Sequence, residues 1–421
     1  MSSSNPPDGE FPFFDLNSLL GGLSGADPWK AAAEMATSIA SGGGSEPNLD
    51  PVDRIKIEEL GRVAELNVNQ AIGVALPAGT RITPVTKSIW TRQSLDAYRP
   101  FFERFGEALS AGMQAETDAI TPSDEDLAGA DPSEADLSNL TAQMMGQIFT
   151  SLGPMLVSTS AGSMLGHLGQ RALGQYDLPI PRASDEVLVV PSTIDVAAEE
   201  WDIPNDDLRL WVLIHELTTH AVLSVPHVKS RLESLLLDFA SAFRPNTELI
   251  NERFGSITDL GQIQELSETL SDPDVIFSLL RSPAHDLIVP QLDALVAAVL
   301  GFVDHSVTEI SRGLIVTQDI IRERFRQRWI DVAPADRFME RLLGLEIDDQ
   351  TLSRGDDFVA GIHQRAGAAG LERLWADELD MPTAAEVDAP GLWLARIGLD
   401  GEADSGAGLE VPDDLSGLDE L

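Results

Sequence analysis

The chain has 421 residues, enough for one large or two ordinary domains with a core that needs no covalent staples. It contains no cysteine, which excludes disulfides, cysteine-held zinc or iron–sulfur centres and thiol nucleophiles. A formal net charge of −41 repels nucleic-acid phosphates and anionic lipid headgroups, so neither is expected as a partner.

Met1 to Glu10 is polar and proline-bearing, without a basic stretch leading into an apolar run, so no secretory signal is expected there. The longest apolar stretch, Leu295 to Val303, is about half a membrane span. The expected location is cytoplasmic, with no membrane partner.

Taken in chain order, residues 1–49 read as a disordered tail, rich in Ser, Gly and Pro. Phe11-Pro-Phe-Phe-Asp-Leu and Leu19-Leu20 inside it are too apolar for inert linker and are expected to dock on the body or on a partner. Order begins near Asp50-Pro51, a helix cap followed by proline at the first helical position. Ile57, Leu60, Val63 and Ala64 then share one helix face. Trp90 to Met113 repeats that logic, residues 115–137 read as a mobile acidic loop, and an apolar helix follows from Leu137 to Gly153-Pro154. Gly162, Gly166 and Gly169 line one helix face and permit close helix packing.

Glu186 to Pro191 is the best strand candidate, a short β-branched run bounded by charge and proline. Asn205-Asp206-Asp207 caps a helix through Trp211 to Leu223, stopped near Pro226. Further helices are expected at 228–243, 258–270, 290–312 and 316–328. Residues 400–421 are Gly- and acid-rich and read as a second disordered tail. The reading is therefore mainly α, one α-rich domain over 50–399 with a minor β element.

The chemically distinctive segment is His215-Glu216-Leu-Thr-Thr219-His220 on the helix that starts near Asn205. Zinc hydrolases use His-Glu-x-x-His because residues four apart share a helix face: two imidazoles reach one metal and the Glu activates its bound water. Here the histidines are five apart and Thr219 takes the fourth position. At about 100° per residue, five steps leave the rings roughly 140° apart on a regular helix. A π-bulge would bring them together. Alternatively Glu216 and His220, at i and i+4, could pair as ligands, at the loss of the general base.

The run from Gly162 through Gly166-His167, Arg171, Gly174-Gln175-Tyr176-Asp177-Leu-Pro179-Ile-Pro181-Arg182 resembles the signature of a zincin-like metallopeptidase family common in actinobacteria. Its members are described as hydrolases or zinc-dependent metalloproteases, and one branch is linked to deazaflavin-cofactor biosynthesis. The likeness continues through Glu186–Pro191, Asp207-Leu-Arg209-Leu-Trp211, Val303-Asp304-His305, Arg322-Glu-Arg-Phe325, Gly355–Val359, Leu374-Trp375, Met381-Pro382-Thr383 and Trp393, spanning roughly 50–396. What it implies is a zincin-like helical domain and a zinc-dependent hydrolase, with Glu216 as general base on a zinc held by His215, His220 and an acidic third ligand. The family's second His falls at Thr219, and its downstream Glu falls at Leu300. Asp304, one turn further along, is the expected substitute ligand, with His305 second. The alternative is a catalytically inactive descendant that binds an unknown peptide or protein. His227, His167 and Tyr176 are weaker candidates for a site role, and His285 and His363 have no supporting neighbours.

Overall fold

Helices begin in this protein where the sequence supplies a carboxylate cap and a proline. The computed structural model describes residues 27–120 (side chains to 112), 157–180, 182–244, 280–330, 340–345 and 347–399. Helix α1, Pro28–Ala40, starts behind Asp27, whose carboxylate accepts from the Trp29 amide at 3.0 Å. Helix α2, Pro51–Ala71, is capped in the same way by Asp50, at 2.8 Å from the Val52 amide. Strand β1, Arg81–Pro84, leads into the long helix α3, Lys87–Ile120.

Helix α1 corrects the reading of residues 1–49 as a tail. Trp29, Ala32, Ala36 and Ala40 recur at helical spacing and are buried, so the packed body begins well before Asp50. An alanine face gives only a weak hydrophobic signal in sequence. The apolar motifs at 11–20, the helices expected at 137–153 and 258–270, most of the acidic loop and the C-terminal tail lie outside the described residues.

The glycine stripe behaves as its spacing implies. It lies on α4, residues 157–171, against α1 and α3. A Cβ at Gly162 would come within 2.8 Å of the Ala32 carbonyl oxygen, and one at Gly166 within 2.8 Å of the Ile39 side chain. One at Gly169 would meet the Thr91 hydroxyl at 2.1 Å.

Strand β2, Glu186–Val189, pairs with β1 in parallel, Arg81 opposite Glu186 through Pro84 opposite Val189. Three of its four residues are buried, as expected for a continuous apolar run in a covered parallel pair. Helices α5, Pro191–Trp201, and α6, Asn205–Leu223, follow, then α7, Pro226–Ser241. The rest is helical: α8, His285–Ser311, α9, Gln318–Ile330, α10, Asp349–Arg373, and the short α11, Ala384–Asp388, and α12, Pro390–Arg396. The architecture is mainly α with one minor β element, as read from the sequence.

Helix α8 is long and apolar enough to cross a membrane by length and composition, but 61% of its most apolar window is buried against the body, as in a core helix. Its closest neighbour is α10. At the crossing a Cβ on Gly355 would stand 2.1 Å from the Ala297 carbonyl oxygen, and one on Gly301 would stand 2.3 Å from the Gly355 carbonyl.

Helix α6 is the central element, with every residue from Leu208 to Ile214 buried. Arg209 fixes its rotation. Its guanidinium, on a residue only 6% exposed, donates to both carboxylate oxygens of Asp195 on α5 at 2.7 and 2.8 Å and to Asp53 on α2 at 2.7 Å.

Candidate functional site

Helix α6 is α-helical without interruption from 205 to 223. Thr219 sits one turn beyond His215 and returns its hydroxyl to the His215 carbonyl at 2.8 Å, a local bond available to Ser and Thr inside helices. On this undistorted backbone the two histidines diverge and line different cavities.

His215 faces a cleft of about 140 Å³ among α6, α8, α9 and α10. Its ring packs on Phe325 at 5.3 Å between centroids, and its Nδ1 lies 3.3 Å from Oε1 of Glu216. Asp304 lines the same cleft. Both its oxygens are held by Arg322, at 2.6 to 3.1 Å, and Arg322 also lies 3.6 Å from Asp356. Arg326 closes the row on Asp356 at 2.8 Å and Asp349 at 2.9 Å. Burial raises the Asp356 carboxyl above its ordinary range, Asp304 adds to the rise, and Arg322 and Arg326 oppose it.

His220 points the other way. It is 1% exposed. Nδ1 lies 2.6 Å from the Tyr176 hydroxyl and 3.5 Å from an Arg182 nitrogen, and Nε2 lies 3.1 Å from the Thr80 hydroxyl. Arg182 can only donate, so the consistent tautomer has Nδ1 accepting and Nε2–H donating to Thr80. Burial, with Arg182 second, pushes the His220 imidazolium down to about pKa 4; Lys229 adds to this and Asp185 opposes it. Burial also drives the Tyr176 phenol well above its ordinary range.

The sign follows from the direction. Between pH 6.5 and 4 the unfolded imidazole takes up a proton that the folded one refuses, so this stabilisation is complete above about pH 6.5 and lost as pH falls towards 4. The full loss amounts to ~3 kcal/mol. Denaturation midpoints measured across that window are expected to fall less in His220→Gln than in the unsubstituted protein, and parallel pH profiles would remove His220 as the source.

Glu216 is 2% exposed and engaged from below. Its Oε2 accepts from the backbone amides of Gln175 at 2.7 Å and Tyr176 at 2.8 Å. Gly174 makes the approach possible, since a Cβ there would lie 2.2 Å from the Glu216 carboxyl carbon. The carboxylate thus closes the turn that leads into Tyr176 and Arg182.

The residues expected to hold zinc are not brought together. His215 and Asp304 share one cleft, His220 belongs to another, and Glu216 is bonded to the amides of Gln175 and Tyr176. Among the described residues no group of three His, Asp or Glu side chains is placed to hold a metal ion. The available donors are engaged too: His220 at both nitrogens and Asp304 at both oxygens. This set does not fit a tetrahedral zinc centre. His305, the alternative ligand, packs against His363 with tilted rings at 5.1 Å, and His227 sits in the first turn of α7. His285 is a core residue packed edge-on to Phe239 and Phe243 at 4.6 and 4.7 Å.

Sequence reading missed the partners that decide these roles. The Gln175 and Tyr176 amides carry no side-chain signal, although Gly174 beside them marked a close backbone approach. Arg322 and Arg182 stood in the quoted motifs without a role, because their partners are 18 and 38 residues away.

The comparisons agree with this fold. The family described as zincin-like metallopeptidase matches residues 28–394, and the chain belongs to it. A protein from Chloroflexus aurantiacus, whose crystal structure is described as a hydrolase candidate with a novel fold, superposes with a TM-score of 0.54 at 20% identity. The superposition covers 89% of this chain and 99% of that one, a likeness of fold. No curated protein matches the chain in sequence.

Proposed function

We propose that this chain is a zincin-fold binding module whose motif-side cleft takes a basic side chain from a peptide or protein, and that residues 215–220 do not run zinc hydrolysis. The observation that carries this reading is the Glu216 carboxylate, held by two backbone amides at 2.7 and 2.8 Å on a residue 2% exposed. A general base must reach the water it deprotonates. A carboxylate engaged in this way serves the turn instead.

The chemistry of the cleft names its occupant. Trp211, Phe325 and Trp329 give it aromatic walls, while Asp304, Asp319, Glu323 and Asp356 set four carboxylates against the guanidiniums of Arg322 and Arg326. The excess of negative charge favours a cation. A Lys or Arg can lay its stem along the rings and bring its head to the carboxylates. The overall charge of −41 steers such partners towards the molecule.

Family membership favours a second reading, a zinc-dependent hydrolase. That activity would need a centre built from residues other than His215, His220 and Asp304 as they stand here.

Peptide display on the immobilised full-length protein tests the proposal. Enrichment of Lys- or Arg-bearing peptides, lost in Trp329→Ala and kept in Glu216→Gln, is the expected result. No enrichment, or an enriched set indifferent to Trp329→Ala, would overturn it.

A further inference from the structure

The cavity on the far side of α6 has a feature the motif-side cleft lacks: two cations that form no ion pair. It measures about 150 Å³ and is bounded by Tyr176, Arg182, Ser184, His220, Ser224 and Lys229, with Asp185 as its acidic member. Arg182 is 8% exposed. Its Nε donates to the Tyr176 hydroxyl at 3.1 Å, one terminal nitrogen donates to the Glu186 carbonyl, and the other lies 3.5 Å from His220 Nδ1. Its guanidinium also stacks over the Tyr176 ring at 4.9 Å. Lys229 donates from Nζ to the Arg182 carbonyl at 3.1 Å.

Every one of these contacts is neutral. Among the described residues neither Arg182 nor Lys229 lies within ion-pair distance of a carboxylate, in a chain with 69 acidic and 28 basic residues. The comparison within the molecule is direct. Arg209, Arg328 and Arg354, also deeply placed, each hold an aspartate at 2.5 to 3.2 Å. Desolvated charge is costly unless it is paired. The buried Arg182, with the half-buried Lys229 beside it, therefore marks a place for a counter-charge from outside.

We propose that this cavity binds one small oxyanion, a carboxylate or a phosphate, between the Arg182 guanidinium and the Lys229 ammonium. The guanidinium fork suits the paired oxygens of either group. The Ser184 and Ser224 hydroxyls stand on the cavity wall as further donors. His220 and Tyr176 form its floor and keep Arg182 in place. This site is independent of the peptide cleft, because the two lie on opposite faces of α6 and share no lining residue.

Calorimetric titration of the full-length protein with inorganic phosphate, N-acetylalanine and N-acetylalanine amide tests it. Saturable binding of phosphate alone identifies the phosphate, and binding of the acid but not of its amide identifies the carboxylate. Either supports the site if Lys229→Gln weakens it by about tenfold, the loss of one charge-assisted contact, and Lys229→Arg restores it. Thermal melts of both variants establish that they are folded. Absence of saturable binding by phosphate and by N-acetylalanine, or equal affinity in Lys229→Gln, would overturn the proposal.

Discussion

Gly355→Val is expected to be among the most damaging single substitutions in this chain, with a loss of at least about 3 kcal/mol of stability. Helices α8 and α10 cross backbone to backbone. The position of a first side-chain carbon on Gly355 already lies 2.1 Å from the Ala297 carbonyl oxygen and 3.1 Å from the Gly301 amide nitrogen. Neither atom belongs to a flexible side chain, so relief requires the helices to separate. Separation would expose buried residues along both helices, among them Ala297 and Leu300 on α8 and Phe358 on α10, all under 9% exposed. It would also disturb the ion pair from Arg354 to Asp293 that braces the same crossing. Urea denaturation, read as the midpoint at unchanged slope, measures the loss. A midpoint within error of the unsubstituted protein would show that the crossing is looser than described.

Glu216→Ala is the second, with an expected cost of about 4 kcal/mol. The substitution strands two buried backbone amides, each losing a charge-assisted hydrogen bond, and leaves an unfilled space beneath α6. Glu216→Gln separates structure from chemistry. The Gln carbonyl oxygen can still accept from both amides, so this variant is expected to lose only about 1–2 kcal/mol. A catalytic base gives the opposite signature: Gln would abolish hydrolysis and leave the denaturation midpoint unchanged. Denaturation midpoints for the three proteins, ordered Glu above Gln above Ala, are the expected result. Equal midpoints for all three would remove the structural role.

The fold was legible in the sequence wherever local chemistry decides it. Asp50-Pro51 announced a helix start, Glu186 to Pro191 a strand, observed over Glu186–Val189, and the glycines from 162 to 169 a face for close packing, because a cap, a β-branched run and small residues act over a few neighbours. Helix α1 was not legible, since its buried face is mostly alanine and its meaning lies in α4, more than a hundred residues later. The asymmetry of the motif helix was legible for a different reason. Angular position on an α-helix is fixed by counting, so His215 and His220 could be placed on different faces before any contact was known.

What each residue does there was not legible. Asp304 drew attention as a substitute ligand, and it lines the His215 cleft, yet its oxygens are held by Arg322. Glu216 carries the residue type of a general base, but its surroundings come from the Gly174–Tyr176 turn 40 residues upstream. Side-chain identity sets what a group can do, and the partners that select among those roles are long-range.

The most direct test of the account is diffraction at the zinc absorption edge from crystals of the full-length protein grown with excess zinc. The account predicts no ion bonded to both His215 and His220, because an unbroken α6 turns their rings away from each other. A single zinc about 2.1 Å from a nitrogen of each ring would contradict it.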